Sequence, residues 1–359
     1  MDDCKTPDEV NQPELVMTPE LLKYLCEPIT GRALHLENAE YDNNGVIVSG
    51  RLASDAGNVY PIKKGIPRFV PSEGLAQSVA SFGDEWNYFN FVHFKEHWLK
   101  HTVANTFGTL EAFEDKIIVD AGGGSGAQTL WMLEAGAKHV IMLDLSNSVD
   151  DVVRKNLGAS GYTNYDVIQC SIDAPPIRRQ SIEGIVYCHN VIQHTPSVAI
   201  TAKALYALVA PGGEFVFNVY PINDKGVFRW VRFHLIYKSL RAVLSRLPFW
   251  AILGYAKVMA FFREIPMIGI FLEKSGFLIR GDVPQVEGEG APAHLRRRIR
   301  ATTLNTYDWF GFHEFQHHKS DIEVKNLLTE LQPDSTKILN ADKYFSKPPP
   351  IGCALRVFR

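Results

Sequence analysis

Cysteine is sparse, with Cys4, Cys26, Cys170, Cys188 and Cys353 scattered over 359 residues. An odd, dispersed set suits a reducing compartment better than a disulfide framework. Neither sign of charge dominates: 37 Lys and Arg face 40 Asp and Glu, a formal net charge of −3. Nothing global therefore favours nucleic acid as a partner. No uncharged apolar run reaches the roughly 18 residues of a spanning helix, because Lys257, Arg263 and Glu264 interrupt the oily stretch from Phe249 to Leu272. Peripheral contact with a membrane or lipid stays open. The acidic opening MDDCKTPDEV lacks the basic-then-apolar order of a secretory signal, so the expected compartment is the cytoplasm. Internal repeats and low-complexity tracts are also lacking.

What is present is enough apolar content, 46%, to bury a full-sized core. Residues 1–17 are polar and expected to be loose. Residues 18–72 form a compact piece, with PELLKYL as a short helix, VIVSG and VYPI as strands and GIPRFVP as an exit turn. Residues 73–115 mix aromatics with helix formers and read as a cover. From 116 to 220 short apolar strands (KIIVDAG, HVIMLDL, DVIQC, GIVYCHNV, GEFVFNV) alternate with helical stretches, the rhythm of an α/β fold with a largely parallel sheet. Strands this apolar should be buried on both faces. Residues 221–300 break the rhythm as a helical, aromatic insertion. The stretch 301–359 resumes it, with SDIEVKNLLTEL as a helix capped by Ser320 and with TKILNADKYF and GCALRVF as closing strands.

The sharpest local signal is VDAGGGSGAQT, Val119 to Thr129. A strand ends at Asp120, and Gly122, Gly124 and Gly126 alternate before a helix, which lets a ligand approach the backbone and its amide donors. Packing glycines in a tight turn would look the same. The loop has no GKS or GKT, so a phosphate-cradling kinase or ATPase loop has no anchor here. An NAD-dependent oxidoreductase would also use a glycine turn and an acid after the next strand, a place held by Asp144.

Taken with CHNVIQHTP and APGGEF, the DAGGGSG loop and Asp144 resemble the class I S-adenosylmethionine-dependent methyltransferases, well over residues 116–220 and more weakly in the closing strands. The resemblance implies a Rossmann-like, seven-stranded, mostly parallel sheet with a small α+β N-terminal domain and a helical insertion. It also implies S-adenosylmethionine as cofactor and S-adenosylhomocysteine as product. Carried over, it sets Gly122, Gly124 and Gly126 against the methionyl part, with Asp120 helping to hold its amino group through water or backbone. Asp144 would take the ribose hydroxyls, and Asp173 or Ser171 the adenine. A regulatory or scaffold subunit that keeps the cofactor fold without turnover is the alternative class.

Methyl transfer needs an aligned nucleophile and, where that nucleophile is protonated, a base. His194 and His189 both fall at the carboxyl edge. His194 is read as base, pocket-structuring residue or helix cap, and His189 as a pocket or core residue. Tyr220 could reach the substrate from the opposite side. NTYDWFGFHEFQHHKSD resembles a pocket-closing segment of small-molecule methyltransferases, and within it Asp308 with His317 could form an acid/base couple or fasten a loop. His313, His317, His318 and Asp308 could gather an ion, but the HExxH pattern is missing and no metal is expected.

From Lys225 to Arg263 the insertion carries eight basic residues and no acid. Solvated lid or dimer charges, a phosphate- or carboxylate-bearing small-molecule substrate, and lipid contact all fit that pattern. RRRIR, Arg296 to Arg300, could add a second anion contact or cap a helix.

LLKYLCEPITGRAL and GNVYPIKKGIPRFV resemble the zinc-ribbon domain found as a methyltransferase activator, over about Pro19 to Pro71. Of the expected cysteines only Cys26 stands; Ile29, Ala53 and Ala56 lie at or near the other places. The expectation is a module without zinc, with Cys26 a small buried hydrophobe.

Overall fold

A computed structural model describes residues 15–70, 76–222, 224–281, 283–286, 288–311, 313–339 and 355–359. Cys4, Cys353, residues 1–14 and the end of TKILNADKYF lie outside them.

After a turn at Pro19–Lys23, β1 (Leu34–Tyr41), β2 (Ile47–Ser54), β3 (Val59–Lys63) and β4 (Ile66–Pro67) form an antiparallel sheet in that order. VIVSG and VYPI thus supply β2 and β3. Ile47, Leu52 and Ile62 are buried. Cys26 is buried, and burial raises its thiol pKa, which fits a small hydrophobe.

This sheet is fastened to the larger one. The Phe69 amide donates to the Gln169 carbonyl at 2.8 Å. Arg68 donates to Asp150 and to the Gln169 side chain, each at 2.7 Å. The Thr18 amide and hydroxyl both donate at 2.7 Å to the buried carboxylate of Asp166.

The main sheet is built from β5 (Ile117–Ala121), β6 (His139–Asp144), β7 (Tyr165–Gln169), β8 (Ile185–Cys188) and β9 (Glu214–Phe217). A two-residue pair follows, β10 (Tyr220–Pro221) with β11 (His318–Lys319), and then the closing strands β12 (Ser335–Ile338) and β13 (Leu355–Phe358). The order is β12-β13-β9-β8-β5-β6-β7; every pair is parallel except the two made by β13. Every residue of β7 and β8 is buried, which explains their apolar runs. Val119 and Ile141 face one core, and Ile118, Val140 and Met142 the other.

The expected cover begins as the helix Ala76–Phe89. In the insertion, the helix Phe249–Arg263 packs Ile252 and Ala256 against Leu304 and Tyr307 of the helix Ala291–Phe310. That last helix runs through the boundary expected at residue 300. RRRIR lies inside it, and three of its four charges are spent within the fold: Arg297 meets Glu289, Arg298 meets Glu264, and Arg300 meets the Phe89 carbonyl. Ser320 caps Asp321–Leu331 through a reciprocal capping box with Glu323. Among the described residues no helix is long and apolar enough to cross a membrane.

Arg68→Ala should cost about 2 kcal/mol, the range for hydrogen bonds to charged partners. Urea unfolding followed by circular dichroism measures it.

Candidate active site

At β5 the strand order changes direction, since the chain first adds β6 and β7 on one side and then β8 and β9 on the other. Ligands in open α/β sheets bind outside the carboxyl ends at such a point. A cavity of about 650 Å³ opens there, within the size range of small-molecule sites.

The glycine loop forms one wall. Gly122 and Gly124 have φ of 86° and 58°, and a Cβ on either would lie 2.4 Å from Val191 or 2.8 Å from Trp86. Glycine is therefore required both by backbone conformation and by close approach. The Gly122 amide donates to the Leu143 carbonyl at 2.7 Å, which locks the loop onto β6.

Asp144 ends β6 with its carboxylate facing the cavity. One oxygen accepts the Gly124 amide at 2.8 Å; the other accepts the Ser146 amide at 2.8 Å and the Ser146 hydroxyl at 2.6 Å. Burial raises its pKa against the pull of those donors.

The far wall comes from distant segments. Glu85 projects from the helix Ala76–Phe89, His194 follows β8, Tyr220 follows β9, and Asp308 ends the helix Ala291–Phe310. The β10–β11 pairing fixes the last of these against the others. The Tyr220 hydroxyl donates to Asp308 at 2.6 Å, and its ring stacks on Trp309 at 5.3 Å. His194 Nδ1 lies 3.2 Å from the Phe315 carbonyl, and Nε2 lies 3.5 Å from Asp308. Burial depresses the His194 pKa to about 4, overriding the opposing pull of Asp308; the imidazole is neutral at physiological pH.

The segment matched to a known family spans residues 119–217 and is described as "Methyltransferase domain". The core has a class I methyltransferase fold. S-adenosylmethionine is the cofactor typical of that fold. The ubiquinone biosynthesis O-methyltransferase of Aromatoleum aromaticum is 34% identical over 110 residues, 31% of this chain and 46% of that protein. The corresponding protein of Leptothrix cholodnii is 26% identical over 152 residues, 42% of this chain and 59% of that protein. These matches span about half the length of each relative. A solved S-adenosylmethionine-dependent methyltransferase from Mesorhizobium loti is 28% identical, covers 32% of this chain and 51% of its own, and has a TM-score of 0.28.

Within this methyltransferase fold the expected residues divide. Gly122, Gly124, Asp144, Ser171, Asp173, His189, His194, Tyr220 and Asp308 line the cavity, and Gly123 joins them. Gly126 and Asp120 lie behind the lining. Gly126 precedes the helix Ala127–Glu134. Asp120 accepts the Thr129 hydroxyl at 2.6 Å, with its pKa pushed up to about 6, chiefly by burial. It ties the strand to the following helix. The expected Asp308–His317 couple is replaced: Asp308 meets Tyr220, His194 and His313, whereas the His317 amide donates to the Gln193 carbonyl and its ring stacks on Phe315. Arg229, Arg232 and Phe233 bring the insertion to the cavity. Glu85 escaped sequence reading because nothing local marks it; its position beside aromatic Phe82 and Trp86 suggested a cover only.

Gly124→Ala should cost about 1–3 kcal/mol of stability through forced positive φ and the clash with Trp86, measurable by thermal unfolding. His318, whose pKa burial lowers from 6.5 to about 3, sets a pH dependence. Below pH 6.5 the unfolded chain takes up a proton that the folded state refuses, so stability falls as pH drops from 6.5 toward 3. The gap between urea midpoints near neutrality and at about pH 5 should narrow in His318→Gln, with buried His194 and His313, each lowered to about 4, sustaining the remainder.

Proposed function

We propose that this chain is an S-adenosylmethionine-dependent methyltransferase acting on an oxygen of a small, anionic metabolite. The observation that carries the reading is a single cavity that joins Gly122, Gly124 and Asp144 to His194, Tyr220 and Asp308.

The residues fit the cofactor. A carboxylate has about four acceptor sites; Asp144 keeps one on the oxygen bound by Gly124 for a ribose hydroxyl. Asp173 gives one oxygen to the Thr201 hydroxyl and retains the other for the adenine edge, with Ser171 beside it. The cradle at Gly122 and Gly124 is open only because no Cβ fills it. Bound there, S-adenosylmethionine supplies a methyl group already activated on a sulfonium sulfur.

The chain's own residues orient the acceptor, exclude water and manage its proton. Neutral His194, with Nδ1 turned to the Phe315 carbonyl, presents Nε2 toward Asp308. Tyr220 and Trp309 give an aromatic face against which a flat acceptor can lie. Arg229 and Arg232, which also line the cavity, favour a phosphate or carboxylate. Oxygen as the nucleophile is favoured by the names of the partial relatives. The N-terminal sheet is read, on its sequence resemblance, as a degenerate zinc-ribbon-like module.

Calorimetry should find S-adenosylhomocysteine bound more tightly than NAD, with affinity lowered by at least about tenfold in Asp144→Ala, the scale of one charge-assisted hydrogen bond. Preference for NAD would sink the assignment. Mass spectrometry of a metabolite extract incubated with methyl-labelled cofactor then identifies the acceptor.

A further inference from the structure

The far wall of the cavity brings together buried polar groups that have no hydrogen-bond partner among the described residues. Glu85 is 1% exposed, and neither of its carboxylate oxygens has a hydrogen-bond partner. His313 Nε2, also without one, lies 3.3 Å from Glu85 and 3.9 Å from Asp308. His194 Nε2 is in the same condition, 3.5 Å from the same Asp308 oxygen. Its tautomer follows from its neighbour: the Phe315 carbonyl at 3.2 Å can only accept, so Nδ1 carries the proton and Nε2 the lone pair. Tyr220 occupies the second Asp308 oxygen and turns the first toward the histidines. Buried carboxylate and imidazole groups left without partners are costly, and a cation held among them offsets that cost.

We propose that Glu85, Asp308 and His313 bind a divalent transition-metal ion, with His194 at its margin. Their ligating atoms all lie within 4.8 Å of one another. Bonds of about 2.0–2.2 Å put donor pairs around one ion at most about 4.4 Å apart. The 3.3 and 3.9 Å separations already fit, and the widest needs only a slight contraction. Two carboxylates with an imidazole suit Zn²⁺, Mn²⁺ or Fe²⁺ better than Mg²⁺ or Ca²⁺, which prefer oxygen alone. The supporting contacts are present. Ser81 Oγ lies 3.2 Å from His313 Nδ1, and Phe82 stacks on the same ring at 4.4 Å and 10°. A partner on Nδ1 fixes which nitrogen faces the metal.

Glu85 and Asp308 line the cavity, so the remaining coordination positions of the ion open toward it, as at sites where an exogenous ligand binds. Resting on the methyl-transfer reading, this selects an acceptor whose hydroxyl can coordinate the ion and lose its proton more readily. The histidine grouping suggested by sequence is redrawn: His313 belongs to the site, and Glu85 takes the place given to His317 and His318.

The full chain, dialysed against chelator, is titrated with Co²⁺ and followed by its visible absorption, while elemental analysis counts Zn²⁺ after reconstitution. One ion per chain is expected, with affinity weakened by at least about tenfold in Glu85→Gln and His313→Gln. His35→Gln, on the exposed edge of the N-terminal sheet, should leave it unchanged. If Glu85→Gln fails to give a native circular dichroism spectrum, Asp308→Asn decides by the same criterion. Lack of stoichiometric uptake by folded wild type, or equal uptake by the ligand variants, overturns the proposal; a proton shared between Glu85 and His313, or a site for an amine, would give that result. Calorimetry with S-adenosylhomocysteine on metal-free protein keeps the two readings apart. Binding without ion uptake removes the metal site alone, whereas ion uptake without cofactor binding removes the methyl-transfer reading alone.

Discussion

The parallel pairing of β5 with β6 on one side and β8 on the other is the constraint on which the rest depends. Parallel strands need crossovers, so each strand delivers its carboxyl end, and the loop after it, to the same edge. The glycine loop, Asp144, Asp173 and His194 are separated in sequence by tens of residues, yet three strand ends and one turn bring them to one cavity. The loop's contact with Leu143 and the Gly124–Asp144 bond then join adjacent strand ends directly. Backbone conformation and electrostatics are thus coupled at the site: a side chain on Gly124 disturbs the donor that holds the acid.

Burial controls the chemistry more than any single charge does. Asp120 and Asp144 have raised pKa values with desolvation as the leading cause, while His194 and His318 have lowered ones for the same reason. Both trends favour neutral forms. Arg241 bridges the Trp309 and His313 carbonyls and so holds the C-terminal segment beside this low-charge pocket. The insertion contributes more than solvated charge: Arg229 and Arg232 reach the cavity, while Trp250, Phe261, Met267 and Phe271 remain exposed on its outer side.

The alternating apolar strands, the glycine spacing and the acid at the end of HVIMLDL were legible because each is a local pattern with a local physical cause. Ser320 was legible for the same reason, since a cap acts within one turn. The direction of Asp120 was not legible, because a strand-terminal acid can turn toward the loop or toward the following helix, and the Thr129 hydroxyl decides between them. His317 was misjudged because spacing within NTYDWFGFHEFQHHKSD does not tell which side chains face inward; the His317–Gln193 backbone bond and the β10–β11 register do.

By itself, the sequence determined an α/β fold with a cofactor-type glycine loop and a separate N-terminal module with the single cysteine Cys26. These follow from periodicity, backbone freedom and cysteine count, none of which requires knowing where distant segments meet. Only the tertiary structure decided the acceptor wall. Glu85 lies 223 positions before Asp308 in the chain, and their approach depends on the helix Ala76–Phe89 and the helix Ala291–Phe310 closing over the same sheet edge. Side chains so remote acquire a shared electrostatic role only when packing removes the water between them.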